Sequence, residues 1–244
     1  MFPPLELVSY IGLILITDEL PAPADFLIHR FLSSRLKDRD APRSKCIMLA
    51  VSEDIERIKA VASKSNINIL QNGRFKHIDL PALLEGSGDT KEDLDGPRLR
   101  RVFDILSSEL PQKPSDDKSL VILDDISTLE WLGFSVLDLS RFMRALRAVC
   151  IKSGATLVIR HHLINLSEPD ALFQQLIQLC SYHIEIRPLS SGRSGAVSGE
   201  LCMHSGPMES EPLQRRIPRP SALQYRLTDS GATFFNKGTS EGVL

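Results

Sequence analysis

Two adjacent carboxylates, Asp124 and Asp125, end an apolar run that reads Leu-Val-Ile-Leu-Asp-Asp-Ile-Ser over residues 120–127. Nucleotide-hydrolysing α/β folds use a strand that delivers acids to its carboxyl end to hold Mg²⁺ or to polarise a water. Such folds need a second part, a glycine-rich loop ending in Lys and Ser or Thr, whose backbone N–H groups cradle the phosphates. None of the fourteen glycines in the chain precedes a lysine. Residues 17–25, Thr-Asp-Glu-Leu-Pro-Ala-Pro-Ala-Asp, stand where that loop would lie. Asp18 and Glu19 repel a triphosphate there, and Pro21 and Pro23 each remove a backbone donor. Two readings of Asp124 and Asp125 stay open. They are weak candidates for a cofactor or metal at an interface, or they are structural, one capping the next turn and the other solvated at the sheet edge.

A second constellation, Arg160-His161-His162, closes another apolar run, Ala155 to Arg160. Positive charge at such a point suits an RNA backbone, and histidine stacks on bases. The plainer alternative is one packed and one solvated histidine. Successive strand residues point to opposite faces, so the pair is poorly placed to share a Zn²⁺. Arg215 and Arg216, with Arg219 nearby, stand among four prolines in 207–220 and join the candidates for RNA contact. Trp131 either anchors a partner or packs beneath the turn after the acidic strand.

The elements that must position these residues follow from hydrophobic period. Gly12 to Thr17, Cys46 to Val51, Leu120 to Leu123 and Ala155 to Arg160 are near-continuous apolar runs, suited to strands buried on both faces of a parallel sheet. Phe75 to Leu80 is a weaker strand signal. Helical spacing spans 24–37, 54–64, a segment beginning at Pro97, 136–152, and a segment from Pro169 through Cys180. Ser135 and Asp138 form a capping box for the longest of these. Arg141, Arg144 and Arg147 line its outer side. That row reads as a solvated face, or as a partner for a neighbouring chain's acids.

Beyond residue 182 the pattern changes to period two, in His183–Arg187, Glu200–Met203, Leu223–Leu227 and Ala232–Phe235. Those stretches predict an antiparallel extension with one solvated face. The expected architecture is therefore α/β and RecA-like: a mostly parallel sheet flanked by helices, finished by antiparallel strands, in a single domain over 1–244. Stretches 85–97 and 189–221 read as flexible loops.

Composition sets outer bounds. A formal net charge of −2 argues against bulk capture of nucleic acid, though a local basic face remains compatible. Cys46, Cys150, Cys180 and Cys202 lie far apart with no C-x-x-C pair, and three of them sit within apolar strand or helix patterns and read as buried free thiols. The N-terminus carries no basic segment before an apolar stretch, and no apolar run is long enough to span a membrane. The expected location is intracellular and cytoplasmic, with the nucleus as a second compartment.

With the layout drawn, three stretches resemble the family of sixth subunits of the Elongator complex. They are Leu-Val-Ile-Leu-Asp-Asp-Ile-Ser-Thr-Leu-Glu-Trp-Leu-Gly at 120–133, Phe-Leu-Ile-His-Arg-Phe-Leu at 26–32, and the block from Gln224 to Leu244. The resemblance runs over most of the chain, and the C-terminal block is its most specific part. It implies a RecA-like pseudo-ATPase without a phosphate loop, built into a hetero-hexameric ring with the fourth and fifth Elongator subunits. It further implies that the ring binds the catalytic Elongator subunits and tRNA and supports wobble-uridine modification. ATP would then sit only at ring interfaces, no cofactor would be bound by this chain alone, and the chain would not be an enzyme. The competing readings are an autonomous hydrolase with a degenerate phosphate site and a DNA-binding paralogue. The missing Gly-Lys weighs against the first, and the charge balance against the second.

Overall fold

The computed structural model describes residues 2–85, 97–114, 116–165, 168–189, 192, 194–210, 216–229 and 231–237. Its centre is one nine-stranded sheet. The strands are β1 (Gly12–Glu19), β2 (Cys46–Ala50), β3 (Phe75–Asp79), β4 (Leu120–Leu123), β5 (Thr156–Leu163), β6 (Tyr182–Arg187), β7 (Gly199–Ser205), β8 (Leu223–Thr228) and β9 (Gly231–Asn236). They run in the order β3-β2-β4-β5-β1-β6-β7-β8-β9. The first six are parallel, and β7, β8 and β9 are antiparallel. This is the mixed α/β arrangement expected from the apolar runs.

The helices are α1 (Leu5–Val8), α2 (Asp25–Lys37), α3 (Ile55–Lys64), α4 (Leu80–Glu85), α5 (Pro97–Glu109), α6 (Ile126–Trp131), α7 (Val136–Ser153) and α8 (Ala171–Leu179). They divide between the two faces of the sheet. Residues of α1, α2 and α3 pack with Ile14, Ile16, Met48, Ile122 and Val158. Those of α5, α7 and α8 pack with Leu13, Leu15, Leu49, Val121 and Leu157. Alternate strand residues feed the two cores, so β1, β2 and β4 need apolar side chains throughout.

Ser135 caps α7, its Oγ accepting from Asp138 N at 3.1 Å and donating to Asp138 Oδ2 at 2.6 Å. At its foot Gly154 takes φ +71°, a left-handed cap at which a side chain would be strained. Arg141 pairs with Asp138 and Arg144 lies 3.5 Å from Gln175, so two of the three outer arginines lean on neighbouring polar side chains.

Three expectations are corrected. First, β6 belongs to the parallel set, pairing with β1 through Ile14↔Tyr182 to Thr17↔Glu185. Its period-two pattern arises because His183 and Glu185 face a polar pocket inside the protein, both under 10% exposed. Second, residues 126–131 form a helical turn and a half where only a turn was expected, too short for periodicity to show. Third, His161 and His162 lie within β5, which continues past Arg160. Of the stretch 189–221, Gly199–Ser205 is strand and Arg219–Ser221 a 3-10 turn. The acidic segment 86–96 lies outside the described residues.

Candidate functional site

The helices that follow β1 and β5, α2 and α8, leave adjacent strands on opposite faces. The carboxyl ends of β1 and β5 thus flank a topological switch point, where open α/β sheets place ligands. In this chain the crevice is filled by the protein's own charged side chains.

Asp18, the penultimate residue of β1, is fully buried. Its Oδ2 accepts the Ala24 N–H at 2.6 Å, just before α2, and two guanidinium N–H groups of Arg160, from Nε at 3.0 Å and Nη2 at 2.8 Å. Its Oδ1 lies 2.6 Å from His162 Nδ1. Arg160 also donates from Nη1 to Asp25 Oδ1 at 2.6 Å, in the first turn of α2. A carboxylate thus occupies the anion position at the head of the helix, where a nucleotide-binding fold receives phosphate. Burial pushes the Asp18 carboxyl up, but His162, Arg160 and the Ala24 N–H outweigh it and hold the group below the usual carboxylate range. Asp18 chiefly raises His162 above the ordinary imidazole value.

The outer wall of this cluster is aromatic. The His162 ring lies parallel to Trp131, with centroids 6.2 Å apart and planes 7° from parallel. His162 Nε2 stands 3.5 Å from Asp125 Oδ2. Trp131 keeps 60% of its surface exposed, and Leu132, Leu20 and Ile164 are exposed as well. Both sequence alternatives for Trp131 meet here, since one ring face rests on His162 and the remainder is open.

Both acids of the β4 terminus accept backbone N–H groups of the protein. Asp125 caps α6, accepting from Ser127 N at 2.9 Å, Thr128 N at 3.3 Å and Thr128 Oγ1 at 2.5 Å. Asp124 is the correction: it is fully buried, where the structural reading left one acid solvated. It accepts the backbone N–H groups of Val51, Ser52 and Glu53 at 2.7, 3.2 and 2.7 Å, and so fastens the turn after β2 to β4. Burial pushes its carboxyl up to about 6, against those three donors.

Of the candidates for RNA contact, Arg160 and His161 are placed inside the fold, at 3% and 1% exposure. The Arg160 guanidinium is committed to two acids, and His161 is fixed on both ring nitrogens. Burial removes both from the surface on which the sequence reading put them. His162 is partly accessible beside Trp131. Arg216 is exposed, 3.7 Å from Glu209, and Arg215 lies outside the described residues.

His161 also completes an arrangement that the sequence did not signal. Ser127 Oγ lies 2.9 Å from His161 Nδ1, and His161 Nε2 lies 3.0 Å from Asp170 Oδ2. Serine, imidazole and carboxylate in line is the order of a hydrolytic triad. Here the serine is 2% exposed and its oxygen already accepts the His162 N–H at 2.8 Å. Asp170 meanwhile caps α8 through Phe173 N at 2.6 Å. The line ties α6, β5 and the head of α8 together.

A model of the family described as Elongation complex protein 6 matches residues 8–229. Among curated relatives, Elongator complex protein 6 of Danio rerio is 28% identical over 257 residues, covering 95% of this chain and 92% of the relative. The Xenopus tropicalis protein of the same name is 28% identical over 241 residues, covering 90% and 88%. That of Xenopus laevis is 25% identical over 239 residues, with the same coverage.

Proposed function

The chain belongs to the Elongation complex protein 6 family, and from that premise we propose that it serves the Elongator complex as a non-catalytic subunit of a RecA-like accessory ring. The observation that carries this reading is the Asp18 carboxylate at the head of α2, bonded to Ala24 N and to Arg160. A γ- or β-phosphate brought to the same point would meet a buried negative charge and two prolines in the connecting loop. The phosphate would have to displace this carboxylate from the Ala24 N–H and from Arg160, both of which Asp18 already occupies. Nucleotide therefore binds, on this reading, only at interfaces where partner chains supply the phosphate loop.

The partners proposed are the fourth and fifth Elongator subunits in a hetero-hexamer with two copies of each chain. The assembled ring engages the catalytic Elongator subunits and tRNA, in support of wobble-uridine modification, in the cytoplasm and nucleus. The exposed Trp131, Leu132, Leu20 and Ile164 support an interface at the carboxyl edge of the sheet. No described helix is long and apolar enough to cross a membrane.

Titration of a fluorescent ATP analogue tests the nucleotide reading. The isolated chain is expected to bind no analogue and to hydrolyse no ATP. Saturable millimolar or tighter binding by the isolated chain, abolished by unlabelled ATP, overturns it.

A further inference from the structure

The polar cluster that draws His183 and Glu185 inward lies on the α8 side of the sheet, where Phe173 of α8 stands 5.8 Å from the His183 ring. Glu185 of β6 and Cys202 of β7 are direct cross-strand partners, and His204 lies two residues along β7, opposite His183. Side chains alternate along a strand, so Glu185, Cys202 and His204 project to the same face. A carboxylate oxygen, a thiol sulfur and an imidazole nitrogen from these three lie within 4.8 Å of one another. Glu185 Oε2 and His204 Nε2 are 3.4 Å apart. Zn²⁺ bound by such ligands in tetrahedral geometry sets them about 3.4–3.6 Å apart, so small rotations of Cys202 and His204 suffice.

A cationic group already sits on this carboxylate. Arg219, from the 3-10 turn Arg219–Ser221, donates from Nε to Glu185 Oε2 at 2.9 Å and from Nη2 to Oε1 at 2.8 Å. Arg187 stands 3.8 Å away. The Arg219 side chain is 62% exposed on a short turn, so it can withdraw without disturbing the sheet. Cys202 is buried, and the side chain of His204 is about one-third exposed, which leaves an approach from solvent along the imidazole.

We propose that Glu185, Cys202 and His204 form a Zn²⁺ site whose metal-free form is closed by the Arg219 guanidinium. On binding, the Cys202 S–H proton leaves to bulk water and a Zn–S bond forms. His204 supplies a neutral nitrogen, and both Arg219–Glu185 hydrogen bonds break as one carboxylate oxygen joins the metal. The fourth position is taken by water. Mixed thiolate, imidazole and carboxylate donors favour Zn²⁺ over the hard cations Mg²⁺ and Ca²⁺. Occupancy would exchange a tether on the 219–221 turn, which leads into β8, for a pin across β6 and β7.

Co²⁺ is the probe, because a thiolate ligand gives it a near-ultraviolet charge-transfer band. The full chain, alone or co-purified with its assembly partners, is titrated with Co²⁺ and then with Zn²⁺. One Co²⁺ per chain with that band, displaced by Zn²⁺, is expected. Cys202→Ser should abolish the band. His204→Ala, a substitution at a partly exposed position, should weaken binding at least tenfold and guards against misfolding of the cysteine variant. Arg219→Gln removes the competing cation and should tighten Zn²⁺ binding by about tenfold or more. Absence of the band in both the native chain and Arg219→Gln contradicts the proposal. So does a band that survives in Cys202→Ser, or an Arg219→Gln variant that binds Zn²⁺ more weakly than the native chain.

Discussion

Arg160 places two of its N–H groups on a single oxygen of Asp18, from Nε at 3.0 Å and Nη2 at 2.8 Å, with both side chains at 3% exposure or less. The pair joins β5 to β1 at the point where a phosphate would otherwise enter. Charges taken this far from water are stable only while matched, and breaking one partner from a buried pair costs about 3–5 kcal/mol. Arg160→Met should therefore destabilise the protein by that amount in urea unfolding. Adding Asp18→Asn to Arg160→Met should recover part of the loss, because the uncompensated acid is gone. A double variant less stable than the sum of the two singles contradicts the pairing.

His162 and Trp131 provide an optical reading of the same cluster. Trp131 is the sole tryptophan in the chain, and a protonated imidazole stacked on an indole quenches its emission. Fluorescence should rise with pH at a midpoint above about 6.5, the ordinary imidazole value, because Asp18 holds the proton on His162. Asp18→Asn should move the midpoint down. A group with a raised folded value stabilises below its unfolded pKa and ceases to do so as pH rises through the folded one. Asp18, whose folded value is lowered, behaves oppositely: its contribution holds above about 3.9 and is lost as pH falls. An unchanged fluorescence midpoint in Asp18→Asn would show that the acid does not govern the histidine.

The two acids after β4 should separate in their cost. Asp125→Ala removes a helix cap and should lower stability by about 1 kcal/mol. Asp124→Ala strands two buried backbone N–H groups, of Val51 and Glu53, each worth about 1 kcal/mol or more, and frees the more accessible one of Ser52, so it should cost roughly 2–3 kcal/mol. Neither change should alter nucleotide turnover by an assembly that still forms. An assembly that forms normally with Asp124→Ala but loses turnover assigns the residue a chemical role instead.

Ser127, His161 and Asp170 should behave as a strut. Ser127→Ala removes a buried hydroxyl that serves both His161 and the His162 N–H, at a cost of about 1–3 kcal/mol in thermal or denaturant unfolding. A fluorophosphonate probe should leave Ser127 unlabelled in the native chain. Labelling that depends on His161 contradicts the structural role.

The parallel layers were legible because apolar runs such as Leu120–Leu123 and Gly12–Thr17 serve two cores at once, and only a doubly covered strand needs that composition. The α7 boundary was legible from Ser135 and Asp138, a purely local signal. Strand β6 was misread for an equally physical reason. Period two reports a polar face, and a polar face covered by Arg219 and Thr17 looks the same in sequence as one met by water. Asp18 was recognised as hostile to phosphate from its charge alone. Its partners Arg160 and His162 lie more than 140 positions away in sequence, beyond the reach of local pattern. The buried Arg35, which donates to Val8 O and anchors α1, left no local trace either. The Glu185, Cys202 and His204 cluster was invisible because its members come from two strands, and spacing within one strand does not reveal cross-strand register.

Co-expression with the fourth and fifth Elongator subunits, followed by native mass measurement, tests the proposed role most directly. A single species with two copies of each chain is the predicted result. A monomer of 27.2 kDa that remains free in the presence of both partners would contradict it.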